Sequence, residues 1–404
     1  MTHSVLKNSS SFVFKYIKLV FFWLALCLIS GVFCGFLGGL FAKSISLVTK
    51  IRTENEKLIF LLPFFALLSV LIFRLCRVEG IGTNKVFDAS KTESSVPVLL
   101  APAVFIGSVI THLFGGSAGK EGAALQLGGS VSTAISRIFK LNDKNRQMLT
   151  VCGMAGLFSA AFGTCISAAV FSVEVLHAKI RHKAFVPALV TSITAKIIAF
   201  LIGTHSEHFE VLAIPKLNIL VVLKITAIGV ACGVVGFLFC HTLHFTKEIF
   251  EKYLKNPYLR IFVGSLIVVA LTVLIGTTDY NGSGIGIIES VFENNAIRPE
   301  AFLLKIIFTA ITVGAGLKGG EIVPTMFIGA TFGATVGSIL NLGTSYSAAV
   351  GLATLFGAVT NCPLAAFSLT LELFGNFSLL PLIIPVFIGY FLSGKVSLYN
   401  QTKG

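Results

Sequence analysis

Two carboxylates stand in glycine-rich settings inside apolar sequence: Glu121 in GKEGA (119–123) and Glu321 in GEIVP (320–324). The run VPVLLAPAVFIGSVITHLF precedes the first of them, which places Glu121 at membrane depth. An ionisable group is expensive there and marks a functional site by default. Glycines break helices where the bilayer demands continuity, and a broken helix is tolerated only where it is buried or lines a cavity. The helix after each break begins with unpartnered N–H groups and about half a positive charge. Several such starts aimed at one point make an anion site without any basic side chain. A carboxylate at that site competes with the anion for the same donors. Ionised, it occupies the site and blocks it; protonated, it is neutral and swings away. Anion entry and proton uptake are thereby linked. The bland alternative for Glu121 is an ion pair with Lys120, although adjacent helix residues do not face each other. For Glu321 the alternative is a helix-start carboxylate stabilised by the dipole.

The elements that must hold these groups are membrane helices. The chain is 55% hydrophobic and 12% charged, with a mean hydropathy of +0.90. Runs such as LIFLLPFFALLSVLIF (58–73) and LNILVVLKITAIGVACGVVGFLFCHTL (217–243) have spanning character. On a window of about 20 residues, roughly ten to fifteen segments of uneven length are expected. The shorter ones read as re-entrant or half-helices. Strict alternation in short segments, the mark of a barrel, is not the pattern. The net charge of +13 gathers in short loops, RIFKLNDKNR (137–146), KIRHK (179–183) and KEIFEKYLK (247–255). That reads as positive-inside bias and contact with anionic lipid rather than with nucleic acid. The eight cysteines form no CxxC pair and sit mostly in apolar segments, as buried small hydrophobes. No metal site, cofactor site or catalytic residue set is predicted. The spans hold no Ser/His pair, HExxH or paired-Asp pattern, which argues against an intramembrane enzyme. The N-terminus lacks a cleavage-like end and is expected to run into a first span.

The chain is written twice. GVFCGFLGGLF (31–41) matches GVACGVVGFLF (229–239) at seven of eleven positions, 198 residues apart. GMAGLF (153–158) matches GLATLF (351–356) at the same offset. The corners GIG (80–82) and GSG (282–284) pair at 202, and GKEGA and GEIVP at 201. Two homologous membrane halves, 1–204 and 217–404, are therefore expected, joined by the polar linker 205–216. Such a scaffold places its substrate site at the repeat interface near mid-membrane. The glycines around positions 31–39 and 229–236 read as tight helix packing.

With those motifs in place, the sequence resembles the CLC family of anion channels and anion/proton antiporters. The family's pore motifs GSGIP, G(K/R)EGP and GxFxP correspond to GIGTN (80–84), GKEGA and GEIVP, and SGKVSLY (393–399) looks like its late pore-tyrosine segment. The resemblance covers almost the whole chain. It implies an all-α membrane protein, an inverted-repeat bundle of CLC type with broken helices, assembled as a homodimer in the cell membrane. It makes Glu121 the gating and proton-coupling carboxylate. The anion pathway it implies comprises Gly80, Ile81, Gly82, Gly119, Lys120, Gly122, Gly320, Glu321, Ile322, Val323, Pro324 and Tyr399. Because the chain stops soon after Tyr399, a compact prokaryotic type without a nucleotide-binding tail is expected.

The departures sharpen the expectation. Ile81 replaces the chloride-coordinating serine, Asn84 and Ala123 replace prolines, and Glu321 stands at a normally apolar place. Val175 falls where chloride/proton antiporters keep an inner glutamate, if the segments are aligned on Glu174. These changes resemble the fluoride-transporting branch, some members of which carry a hydroxyl residue where Val323 stands. Fluoride is small and a strong hydrogen-bond acceptor, so N–H donors and a protonated Glu321 suit it. The positive edges of phenylalanine rings suit it too, and Phe87 follows the first motif. Glu174 and Glu372 end related segments and read as helix-end or interface charges. The leading expectation is a fluoride/proton antiporter that exports fluoride, with protons and membrane lipid as its other partners. A chloride/proton antiporter or chloride channel of the same fold is the alternative. Carbonyl-rich helix ends at the two carboxylates would instead favour a cation transporter.

Overall fold

The computed structural model describes residues 2–176, 181–212, 214–294, 298–375, 380–394 and 396–399. Lys179 and Ile180 of the second basic cluster lie outside the described residues. The described chain is helical, and its pairing of extended backbone is a single isolated bridge, Gly119 with Gly320.

The first half runs through α1 (Thr2–Glu54), a short 3-10 turn (Glu56–Leu61), α2 (Leu62–Leu75), α3 (Thr83–Ala89), α4 (Leu100–Leu113) and α5 (Glu121–Ile138). It continues through α6 (Asp143–Phe162), α7 (Cys165–Glu174) and α8 (Arg181–Leu201). The second half holds α9 (Ile219–Tyr253), α10 (Pro257–Ile275), α11 (Ile285–Asn294), α12 (Ala301–Ala315) and α13 (Ile322–Ile339). It ends in α14 (Thr344–Thr360), α15 (Pro363–Phe374) and α16 (Leu380–Leu392). Local chemistry sets several of these bounds. Asn142 and Asn218 cap α6 and α9 by accepting hydrogen bonds from the N–H groups of Asn145 and Val221. Gly163 ends α6 at φ 85, a left-handed conformation that a side chain resists.

Six described helices are long and apolar enough to cross a membrane: 17–54, 56–75, 183–201, 219–253, 257–275 and 322–339. Five more apolar helices are too short to do so alone, the mixture expected of a bundle with broken spans. Of the long six, α13 is the one mostly buried: 72% of its apolar window lies inside the protein, against 28–44% for the others. It is a core helix, while α1, α2, α9 and α10 turn exposed Phe36, Phe64, Val234 and Leu274 outward. At 35 residues, α9 is longer than the bilayer's hydrocarbon core needs, so tilt or protrusion follows.

The packing repeats itself. In the first half Cys34 Sγ donates to the carbonyl of Gly153 at 3.7 Å; in the second, Cys232 Sγ donates to Gly351 at 3.9 Å. Both pairs sit 198 residues from their counterparts. Gly153 lies against Gly128 of α5, and Gly351 against Gly329 and Gly333 of α13. A Cβ on Gly329 would stand 2.6 Å from the Gly351 oxygen, so these helices touch through their backbones. The stripe on α1 serves packing as expected: a Cβ on Gly31 would meet Thr194, and one on Gly35 would meet Ile198, both on α8.

Candidate functional site

The two glycine corners meet. Gly119 N–H donates to the Gly320 carbonyl and Gly320 N–H to the Gly119 carbonyl, each at 2.7 Å. This clasp brings the N-termini of α5 and α13 together, so two sets of orphan donors and two positive helix ends converge. Only glycine allows the approach: a Cβ on Gly122 would stand 2.8 Å from the Gly320 Cα. The carboxylates flank the clasp crosswise. A Cβ on Gly119 would meet Glu121 Oε2 at 2.6 Å, Val323 Cβ at 3.1 Å and Pro324 Cδ at 3.3 Å. One on Gly122 would meet Glu321 Oε2 at 3.5 Å. Ile322 and Val323 are wholly buried beneath it.

Glu121, the first residue of α5, is fully buried and neither of its carboxyl oxygens has a hydrogen-bond partner. It is not in a pair with Lys120. The Lys120 ammonium reaches across to Glu207 of the linker, 3.3 Å away. Glu321 occupies the N-cap position of α13, and its backbone carbonyl accepts from Thr325 N–H and Oγ1 at 2.9 and 2.8 Å. Glu121 is thus a buried acid without a hydrogen-bond partner at the meeting point of two helix starts, a place where a carboxylate and an anion would compete for the same N–H donors.

Phe87 and Tyr399 come together from opposite halves of the chain. Their rings meet edge to face at 5.0 Å and 87°, and both are buried. The Tyr399 hydroxyl is a buried donor without a hydrogen-bond partner. Its segment is held by Leu398 N–H and Ser397 Oγ, which both donate to the Val359 carbonyl, at 2.8 and 3.0 Å. The GIG corner is different. A Cβ on Gly80 or Gly82 would meet nothing within 4 Å, so these residues border open space, with Ile81 half-buried beside them. The helix that follows, α3, has seven residues and contributes little dipole. It is tied to α5 by Gln126 Nε2, which donates to Thr83 Oγ1 at 3.1 Å.

Glu174 and Glu372 prove to be reciprocal caps. Glu372, on α15, accepts from the N–H groups of Cys165, Ile166 and Ser167 at the start of α7, at 2.8, 3.0 and 2.7 Å. Glu174, at the end of α7, accepts from Leu364 and Ala365 at the start of α15, at 3.1 and 2.7 Å. Each short helix thus neutralises the positive end of the other. The linker is also more than a tether. Phe209 is buried, stacks on Phe292 at 5.2 Å, and donates its N–H to the Leu373 carbonyl at 2.9 Å.

Sequence reasoning missed the groups around the GSG corner. Lys305 is completely buried and donates to the carbonyls of Tyr280 and Gly282 at 3.2 and 2.8 Å. Asn281 Nδ2 donates to the Gly115 carbonyl at 2.8 Å. A lysine and an asparagine in apolar sequence are visible as residue types, but nothing local announces their partners.

Comparison with known proteins agrees with this architecture. The family model described as voltage gated chloride channel matches residues 64–394. A chloride/fluoride channel protein of Pseudomonas syringae pv. tomato is 30% identical over 391 residues, 94% of this chain and 86% of that protein. An H(+)/Cl(-) exchange transporter of Vibrio cholerae is 26% identical, covering 95% of this chain and 89% of its own. The crystal structure of a CLC-type fluoride/proton antiporter superposes with a TM-score of 0.91 at 33% identity, over 95% of this chain and 98% of that one.

Proposed function

The chain belongs to the voltage gated chloride channel family, and from that premise we propose that it is a fluoride/proton antiporter of the cell membrane. The observation that carries this reading is the clasp of α5 and α13 with a carboxylate on each side. Glu121 is buried there without a hydrogen-bond partner. Ionised, it takes the helix-start donors that an anion needs; protonated, it vacates them. Each anion that enters is therefore matched against a proton. Glu321 brings a second acid to the same place, where a chloride site would hold an apolar residue by the family resemblance. As a neutral acid it donates to an anion, and fluoride rewards such a donor more than chloride does.

The remaining pathway residues take supporting roles in this proposal. Gly119, Gly122 and Gly320 allow the backbone approach, and Ile322, Val323 and Pro324 form the apolar wall under the Gly119 corner. Lys120, held by Glu207, adds positive charge beside the clasp. Phe87 and Tyr399 offer a ring edge and a hydroxyl, and Gly80, Ile81 and Gly82 border the mouth near them. The halves 1–204 and 217–404, joined by 205–216, are the two repeats whose interface the clasp marks. We take the assembly to be a homodimer with one pathway per subunit. A chloride/proton exchanger is the second reading, favoured by the Vibrio cholerae relative; Ile81 in place of a serine speaks against it.

The test is flux from proteoliposomes loaded with fluoride, followed by a fluoride electrode and a pH electrode together. Fluoride efflux accompanied by proton movement in the opposite direction is expected, with chloride efflux much slower. Chloride moving as fast as fluoride would replace this reading with the second one.

A further inference from the structure

The helices that carry GMAGLF and GLATLF both end in a left-handed turn, and the two turns differ. Gly163 closes α6 at φ 85, and Asn361, 198 residues later, closes α14 at φ 56. Glycine takes that conformation freely, while among residues with a side chain asparagine is one of the few that accept it. The second half thereby places a carboxamide where the first half has none. That amide is 1% exposed, and neither its Nδ2 nor its Oδ1 has a hydrogen-bond partner in the protein. Buried amides are normally paired, and leaving both ends unpaired costs stability. At the sister turn the linker takes up the space: a Cβ on Gly163 would stand 2.4 Å from the Ser206 Cα. Strain and an unpaired amide together, at one buried turn, point to a ligand rather than to packing.

The turn is strapped to the segment that carries Tyr399. The Val359 carbonyl, two residues before Asn361, accepts from Leu398 N–H and Ser397 Oγ, and the Ala358 carbonyl accepts from Ser393 Oγ at 2.9 Å. The Tyr399 ring also meets Phe171 of α7 at 6.4 Å, and Phe171 meets Phe356 of α14 at 5.9 Å. The Tyr399 hydroxyl and the Asn361 amide are thus two unpaired, buried polar groups carried on segments that are bonded to each other. The helix start beside the amide is already occupied, because Glu174 accepts from Leu364 and Ala365 there. The polar group left at this turn is the amide. It presents two N–H donors and carries no charge, so it replaces part of a small anion's hydration without holding the ion as a fixed cation would. We propose that Asn361 is a further anion-pathway residue, its Nδ2–H groups binding fluoride in passage near the Tyr399 hydroxyl. The assignment rests on the fluoride-transport reading above and leaves proton coupling with Glu121.

Asn361→Gly copies the sister turn: it removes the amide and relaxes the left-handed backbone. Its thermal midpoint in detergent is expected to equal or exceed that of the wild type. Fluoride efflux from proteoliposomes of the full chain is expected to fall about tenfold, the loss of one hydrogen bond to an ion. Chloride leak should fall less, because chloride is the weaker acceptor. Asn361→Asp keeps the shape and the tolerance of the left-handed turn but exchanges the N–H donors for a carboxyl oxygen, and it should lower fluoride efflux at least as far. Wild-type fluoride efflux in both variants would overturn the assignment. So would a glycine variant that loses flux together with its thermal midpoint while the aspartate variant transports like wild type, since the amide would then only fill the turn. Wild-type liposomes that move chloride as fast as fluoride would sink the fluoride reading alone. A tenfold fall of that chloride efflux in both variants would then still support Asn361 as a pathway residue.

Discussion

At the scale of single residues, the proposed mechanism gives the two corner carboxylates different roles. Glu121→Gln keeps the shape and removes the titrating charge, so anion-driven proton movement should vanish in the two-electrode liposome assay. Proton movement equal to wild type would show that Glu121 is not the coupling group. Glu321 is the residue that most separates this chain from a chloride carrier. An ionised Glu321 would repel the anion, so its role requires the neutral acid, a hydrogen-bond donor. Glu321→Ala should therefore lower fluoride flux more than any chloride leak, about tenfold for one lost charge-assisted donor. A mutant that keeps both fluxes and their ratio would reduce Glu321 to a helix cap, with no part in selectivity.

At the scale of elements, α7 and α15 hold each other in place. Each is too short to span the membrane, so its first N–H groups need a partner inside the protein. Glu372 supplies three acceptor contacts and Glu174 two. Glu372→Ala leaves the start of α7 uncapped and should cost about 2–4 kcal/mol, read as a lower thermal midpoint in detergent. Glu372→Gln keeps a carbonyl oxygen and should lose about half as much. If alanine and glutamine variants melt with wild type, the reciprocal caps carry no stability.

At the scale of the whole molecule, the proposed pathway residues Glu121, Glu321, Phe87 and Tyr399 all belong to one chain, so the proposal gives each subunit its own pathway. A homodimer should therefore behave as two independent transporters. Wild type mixed with Glu121→Gln and reconstituted in equal amounts should show about half the coupled flux per protein, whatever pairs form. A much lower value would mean that subunits share one pore.

Hydropathy and glycine placement are local properties, and they determined the membrane class, the broken helices and the position of both carboxylates. The internal repeat also pairs the GKEGA and GEIVP corners by sequence alone, and in three dimensions Gly119 and Gly320 share two hydrogen bonds. Partnerships between distant side chains were a different matter. Lys120 could be read beside Glu121, yet it pairs with Glu207, 87 positions away. Glu174 and Glu372 could be read as helix-end charges, but not as each other's counterpart caps. His112 and Arg52, each with a buried nitrogen that makes no hydrogen bond, carry no motif at all. A side chain's partner is chosen by how helices pack, and where α7 meets α15 and α5 meets α13 the packed helices lie in opposite halves of the chain. Only the tertiary structure decides which of two nearby charges a lysine meets, and which buried polar atom is left without a partner.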